Sequence, residues 1–369
     1  MSITRRSSQD GGSDSGGGGG NHPRSPTGSW LPDCAQGGYT IRTLVLFAVC
    51  LLPGCRSASD SPPEDAAHFY QGKTITIIVP SSPAGTFDLI SRIEAPYIEK
   101  YTGARTLIQN STVIQAQNTL YRSRPDGLTV ILCGHGPTEI AAQLFKQEGA
   151  SFDWTKFTLL GRLPASSTAF VVDRRLGWTR PADLRGKAFF AGASSPFFAP
   201  LFAEALGWDK MSVISGMTGS ERALGIRRGE LQATTAGAAQ VAQDADLLLP
   251  IVVTATDPNG FAGVPAVSEL AIEGKEKWAT WASAWDGVLY WSYATPGIPE
   301  DRAAFLEDAL EKTYNDAAFA EEMKKLKVNL SDHFIGRTEL KRITRTFAEL
   351  TDADIKEMEF VMTRKYQKQ

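Results

Sequence analysis

Few side chains in this sequence are of the types that do covalent or metal chemistry. There are four histidines (His22, His68, His135 and His333) and four cysteines (Cys34, Cys50, Cys55 and Cys133). Zinc sites need paired Cys or His ligands at short spacing; no such pair is present, so no metal is expected. GxSxG, HExxH, Walker A and a GxGxxG after a strand are absent as well. Cys133 and His135, in "CGH", would offer a nucleophile and a base. The plainer reading is a small buried residue closing the strand "LTVILC". Most carboxylates fall at helical spacing on solvated faces, as in "EEMKK" and "DADIKEME". No catalytic residue, no enzyme activity and no cofactor are expected.

What remains is loop chemistry. Three short loops rich in Gly, Ser and Thr each follow a strand and lead into a helix: Ser81–Asp88 ("SSPAGTFD"), Gly192–Pro196 ("GASSP") and Ser215–Glu221 ("SGMTGSE"). The first turn of a helix carries free N–H groups and partial positive charge, which makes it receptive to a carboxylate. The same residues also serve as ordinary caps and turns. Their number, and their division between two halves of the chain, point to a cleft between domains.

The elements that would position these loops alternate. "TITIIVP" reads as a strand and "DLISRIEAPYIEKYTG" as a helix closed by Gly103. "ARTLIQN", "AQNTLYRSR", "LTVILCG" and "PTEIAAQLFKQ" continue the alternation. After the strand Ser167–Asp173 the pattern restarts with "KAFFAG" and a helix "PFFAPLFAEALG". That helix has Ser195 as N-cap, Pro196 at its first position and Gly207 past its end. "TGSERALGIRRG" is a helix opened by a Thr218–Glu221 capping box and closed by Gly229. "WASAWDGVLYWSYATPGIPE" reads as strand-like, its aromatics serving core and hinge packing or lining a ligand site; helices follow. Two α/β units with mostly parallel sheets are therefore predicted.

The 369 residues are enough for two domains, and the net charge of −3 with no basic stripe argues against a nucleic-acid partner. The Gly-rich beginning has almost nothing to bury. Leu44–Leu52 is an apolar run of signal-peptide length, too short to span a bilayer. It ends in "LPGC" before a Ser/Pro/Asp-rich tether. This resembles a bacterial lipoprotein signal, with Cys55 as the lipidated residue; an ordinary signal peptide or a short anchor is the alternative. The true start of translation is expected downstream of Met1. With Cys34, Cys50 and Cys55 accounted for, Cys133 is left alone and no disulfide is expected.

From about Tyr70 onward the ordered landmarks resemble the substrate-binding proteins of tripartite tricarboxylate transporters, the Bug-type periplasmic receptors. They are "IIVPSSPAGTFD", "RPDGLTVIL", "ISGMTGSERALGIRRGEL", "GVPAVSEL" and "ATPGIPED". The resemblance implies a type II periplasmic-binding-protein fold: α/β, two lobes joined by a two-stranded hinge, with a ligand cleft between them. It implies capture of a small carboxylate and delivery to membrane permease subunits. Mapped by loop, the ligand-binding candidates are Ser81, Ser82, Ala84, Gly85, Thr86 and Asp88 in lobe one. In lobe two they are Gly192, Ala193, Ser194, Ser195, Thr218 and Gly219. Asp88 has two readings, an N-terminal helix residue or an organiser of loop groups and ligand. The family's Gly-rich segment after the second strand is here "NSTVIQA", and Phe87 and Ile114 would narrow the cleft or make it more apolar. That leaves room for an aromatic or aliphatic monocarboxylate.

The expected division is a disordered prefix and lipoprotein-type signal over 1–54 and a tether over 55–68. Lobe one then takes 69–172 plus 290–369, and lobe two takes 173–289. The expected protein is a lipid-anchored monomer of the periplasm or cell envelope. The alternative to transport is a receptor-like surface protein that uses the same cleft to signal to a partner.

Overall fold

A computed structural model describes residues 65–326, 328, 330 and 334–367. The prefix, the signal with Cys55, and most of the tether lie outside the described residues, as do His22 and His333.

The predicted alternation folds into two five-stranded sheets. The first takes β1 (Thr74–Val79), β2 (Arg105–Asn110), β3 (Thr129–His135), β4 (Thr158–Arg162) and β10 (Leu289–Ala294), in the order β2-β1-β3-β10-β4. The second takes β5 (Ala169–Asp173), β6 (Phe189–Gly192), β7 (Met211–Ile214), β8 (Ala233–Ala236) and β9 (Leu248–Val253), in the order β7-β6-β8-β5-β9. The two orders are the same arrangement. In each sheet the strand arriving from the other lobe inserts antiparallel between two others, β10 between β3 and β4, and β5 between β8 and β9. The remaining pairs, β1 with β2 and β3 and β6 with β7 and β8, are parallel.

The helices are α1 (Ala66–Tyr70), α2 (Thr86–Thr102), α3 (Val113–Arg122), α4 (Gly136–Leu144), α5 (Phe198–Leu206), α6 (Gly219–Arg227) and α7 (Ala238–Gln243), then α8 (Val267–Leu270), α9 (Glu276–Gly287), α10 (Glu300–Tyr314), α11 (Ala317–Lys325), α12 (Arg337–Ala348) and α13 (Asp352–Phe360). α2, α5 and α6 are each followed by a glycine in left-handed backbone, Gly103, Gly207 and Gly229, as their sequences predict. Helix burial is dominated by large rings: Trp208, Trp278 and Trp285 are fully enclosed, as is Trp291 of β10. Truncating one such ring costs about 3–5 kcal/mol.

The chain crosses between the sheets at 163–168 and again just before Leu289. Arg162 ties the crossings together. Its Nε donates to Leu289 O (2.9 Å) and its guanidinium to Asp286 O (3.2 Å). The Asp286 carboxylate accepts the Thr168 N–H (3.2 Å) and hydroxyl (2.7 Å).

The structure departs from the expected elements in five places. β4 was not foreseen, because "FTLLGR" is a short apolar run that periodicity cannot separate from a helix. The aromatic stretch expected to be strand-like is helix α9 through Gly287, and only Leu289–Ala294 is strand; bulky rings at helical spacing pack around α9 rather than across a sheet. β5 pairs only within the second sheet, so the first crossing ends before Ala169, not at 172. The C-terminal segment, expected on lobe one, returns to lobe two: Val213 bridges Gln367, and Glu204 of α5 accepts from Lys365 and from the Tyr366 hydroxyl (2.8 Å). Lobe one also begins earlier than residue 69, since Ala66 of α1 is already buried.

Candidate functional site

β1 is a β-branched run that stops at Pro80, and the chain turns over Ser81–Gly85 before α2. The turn is tight. Ser81 N–H donates to Val79 O (2.8 Å), Gly85 N–H to Ser82 O (3.1 Å), and a Cβ on Gly85 would lie 2.5 Å from Ser81 Oγ. Ala84 takes φ +63°, a left-handed conformation unfavourable to a residue with a Cβ. Asp88 holds this turn in place. Its Oδ2 accepts Ala84 N–H (2.8 Å) and Arg92 Nε (2.9 Å), and its Oδ1 accepts Asn110 Nδ2 (2.9 Å). The same amide nitrogen reaches Ser81 O at 3.1 Å. The Arg92 hydrogen bond, with those from Asn110 and Ala84, holds the buried Asp88 carboxyl below the usual carboxylate range. Of its two readings, Asp88 is the organiser of the loop, and its oxygens are occupied by the protein. The amides of Thr86, Phe87 and Asp88, in the first turn of α2, have no acceptor among the described residues.

The second lobe builds its loop differently. Gly192 is buried at the end of β6, its carbonyl accepting Thr234 Oγ1 (2.8 Å), and a Cβ there would lie 2.7 Å from Leu231 Cδ1. Ala193 donates to Ile214 O (2.9 Å) and accepts from Met217 N–H (3.0 Å). These two residues pack and brace. Because Ala193 is pinned to the β7 loop, the chain runs on before it can coil, and α5 starts at Phe198 with Phe197 as N-cap, not with Ser195. Ser194 is exposed and Ser195 half-buried. Thr218 forms the predicted capping box: its hydroxyl (2.8 Å) and N–H (2.7 Å) both go to Glu221 Oε2, and Glu221 N–H returns to Thr218 Oγ1 (3.3 Å). Gly219 opens α6, with the Gln240 amide beside it.

The loops of the two lobes meet across one residue. His135 ends β3, pairs with Leu289, and caps α4 by accepting Thr138 N–H at Nδ1 (3.2 Å). Its ring lies 5.2 Å from that of Phe87, in the first loop, and 6.2 Å from that of Phe197, in the second. Tyr290 completes the group, 5.5 Å from Phe87. It sits at a bulge in β10 with φ +61°. Strained backbone at both Ala84 and Tyr290, on either side of Phe87, is the pattern of a functional site. Burial pushes His135 down to about 4, so its imidazole is neutral near pH 7.

No protein-family model matches the chain, and no curated protein matches it. Solved structures do. A TctC solute-binding protein from Polaromonas, solved without ligand, superposes with a TM-score of 0.62 at 18% identity, over 76% of this chain and 96% of that one. An R. palustris protein solved with adipate gives 0.53 at 17% identity, covering 79% and 97%. The periplasmic binding protein BugD gives 0.53 at 14%, covering 81% and 100%. The fold is that of the TctC and Bug-type periplasmic binding proteins.

In open α/β sheets ligands sit outside the carboxyl ends of strands, and the β1–α2 and β6–α5 loops lie at such ends. A cavity of about 610 Å³ lies where β4 and β9, the edge strands of the two sheets, run out. Its wall holds Asp257, Asp286 and Glu339 against Arg162 and Arg342. Arg162 is committed to Asp286 and to two carbonyls, and Arg342 pairs with Glu339 (2.6 Å). Three acids face two cations there, and both cations are already paired with protein groups.

Three residues at the loops escaped sequence reasoning as ligand candidates, His135, Phe197 and Arg222; Tyr290 belongs to the aromatic stretch read as core and hinge packing or as lining a ligand site. Arg222, on α6, is half-buried and its guanidinium donates to Met217 O (2.8 Å). His135 was legible only as a possible base for Cys133, whose thiol burial pushes well above its usual value. Ile114 packs against the core, with Gly149 beside it.

Proposed function

We propose that this chain is an extracytoplasmic solute-binding protein that takes a small organic carboxylate between its lobes and delivers it to the permease of a tripartite tricarboxylate-type transporter. The observation that carries the reading is the meeting of the β1–α2 and β6–α5 loops across His135, with unpaired amides at the start of α2. The fold supports it, and two proteins of that fold were solved with carboxylates, adipate and malate. Binding would close the lobes about the 163–168 and 287–289 crossings and remove the anion from water. Cys55 would carry the lipid that holds the protein at the membrane, with a monomer as the working unit. Among the described residues, no helix is long and apolar enough to cross a membrane.

The test is a thermal-shift screen of the full chain against carboxylates. A ligand at a hundredfold excess over its Kd stabilises by about 2.7 kcal/mol, a shift of a few degrees. Ser194→Trp should abolish the shift while preserving the unliganded melting temperature. An unchanged shift in that variant would remove the second-lobe loop from the site.

A further inference from the structure

The charges around the loops are unevenly provided with partners. In lobe one, Arg92 is bound to Asp88, and Asp88 in turn to Asn110 and Ala84. In lobe two, Arg222 lies beneath the loops: a Cβ on Gly192 would meet its Cγ at 3.2 Å, and one on Gly219 would meet its NH2 at 3.9 Å. Among the described residues no carboxylate pairs with it, and its side chain's one hydrogen bond goes to a main-chain carbonyl. Burial alone, with no compensating charge, depresses the guanidinium from its usual value. A half-desolvated cation without a counter-ion is costly, and an anion arriving between the lobes would relieve it.

The rest of the meeting point offers rings. Tyr290, Phe87, His135 and Phe197 neighbour one another in that order, and His135 is uncharged near pH 7. The lobe-two loops therefore hold a guanidinium with which no described carboxylate pairs, and a group of rings spans both lobes. A second carboxylate at the rings would have only the uncharged amides of Thr86, Phe87 and Asp88 as donors, among apolar side chains, which offsets its burial less than a second cation would.

We propose that Arg222 is the carboxylate anchor and that the ligand is a monocarboxylate with an apolar body, aromatic or long aliphatic, received by the Phe87–His135–Phe197–Tyr290 face. This rests on the carboxylate-receptor reading above and narrows it.

The experiment measures melting temperature and titration affinity of the full chain with phenylacetate and octanoate, with malate and adipate, and with phenylacetamide as the uncharged control. Phenylacetate or octanoate should bind at least tenfold more tightly than either dicarboxylate, and phenylacetamide should not bind. Arg222→Gln should weaken the best acid by about ten- to a hundredfold, with Arg222→Lys recovering part of the loss. The lysine variant and the unliganded melting temperatures separate lost charge from a collapsed loop. Phe87→Ala should weaken the apolar acid at least tenfold. Tight malate or adipate binding with inert apolar acids overturns the narrowed class and leaves the receptor reading standing. Unchanged affinity in Arg222→Gln overturns the anchor. No shift with any acid overturns both the inference and the receptor reading.

Discussion

The two lobes share a strand order but hold their loops by opposite means. Lobe one uses side-chain electrostatics: a buried carboxylate, Asp88, accepts from Ala84, Arg92 and Asn110 and fixes a strained turn. Lobe two uses main chain and volume: Ala193 is bonded to Ile214 and Met217, and Gly192 is set against Leu231. The difference has a consequence for ligand. The lobe that braces itself with charges has none to spare, and the lobe that braces itself with packing keeps a guanidinium, Arg222, for an incoming anion.

The sharpest way to break the contrast is to remove the brace of lobe one. Asp88→Ala leaves the Ala84 N–H and the Asn110 amide without their acceptor and should cost about 2–3 kcal/mol in urea unfolding. Ser194→Ala, at an exposed position of the opposite loop, should stay within about 0.5 kcal/mol. Equal costs would mean that the two loops are held alike. Next in size, Gly192→Val drives methyl groups toward Leu231, Met217 and the Arg222 stem, and should cost about 1–3 kcal/mol. A neutral result would show that lobe two is not held by packing at that point.

The smallest effect is on pH dependence. Asp88 is held low, so its contribution to stability is present above its unfolded value and is lost as pH falls. Two other buried acids of the first lobe go the other way. Burial raises Glu94 from 4.5 to about 8 and Glu139 to about 7, the latter bonded to Tyr293 OH (2.9 Å), Trp291 Nε1 and His135 N–H (3.0 Å). Between about pH 4.5 and 8 the unfolded chain binds fewer protons at these sites than the folded one, so their share of stability falls as pH rises through that window. Glu94→Gln should flatten the decline, read as melting temperature against pH. His135 has the opposite sign: it is neutral when folded and gains a proton when unfolded below about 6.5, so its share is lost as pH falls from there to about 4. An unaltered profile in Glu94→Gln would mean that this carboxyl is not protonated in the folded state.

Several features were legible in the residues alone. β-Branched runs ending at Pro or Gly mark strands, and Gly103, Gly207 and Gly229 mark helix ends, because left-handed backbone selects glycine there. The Thr218–Glu221 box is a local hydrogen-bond pattern and formed as read. Periodicity failed where neighbours decide the outcome: β4, too short to be told from a helix; α9, a helix wrapped in indoles; and the return of 352–367 to lobe two, set by Glu204 accepting from Lys365 and Tyr366.

For the site, local sequence determined the loops and the Thr218 start of α6, since turn chemistry and capping act over four or five residues, but not the start of α5, which the bonding of Ala193 to the β7 loop moved to Phe198. Only the tertiary structure decided which of those residues are already occupied. Asp88, Gly192, Ala193 and Thr218 take partners within the protein, while Phe87 and Phe197, 110 positions apart, approach the same imidazole from opposite lobes. Whether a polar group is free is a property of three-dimensional surroundings: burial sets the cost of leaving a charge unpaired, and distant strands supply or withhold the partner.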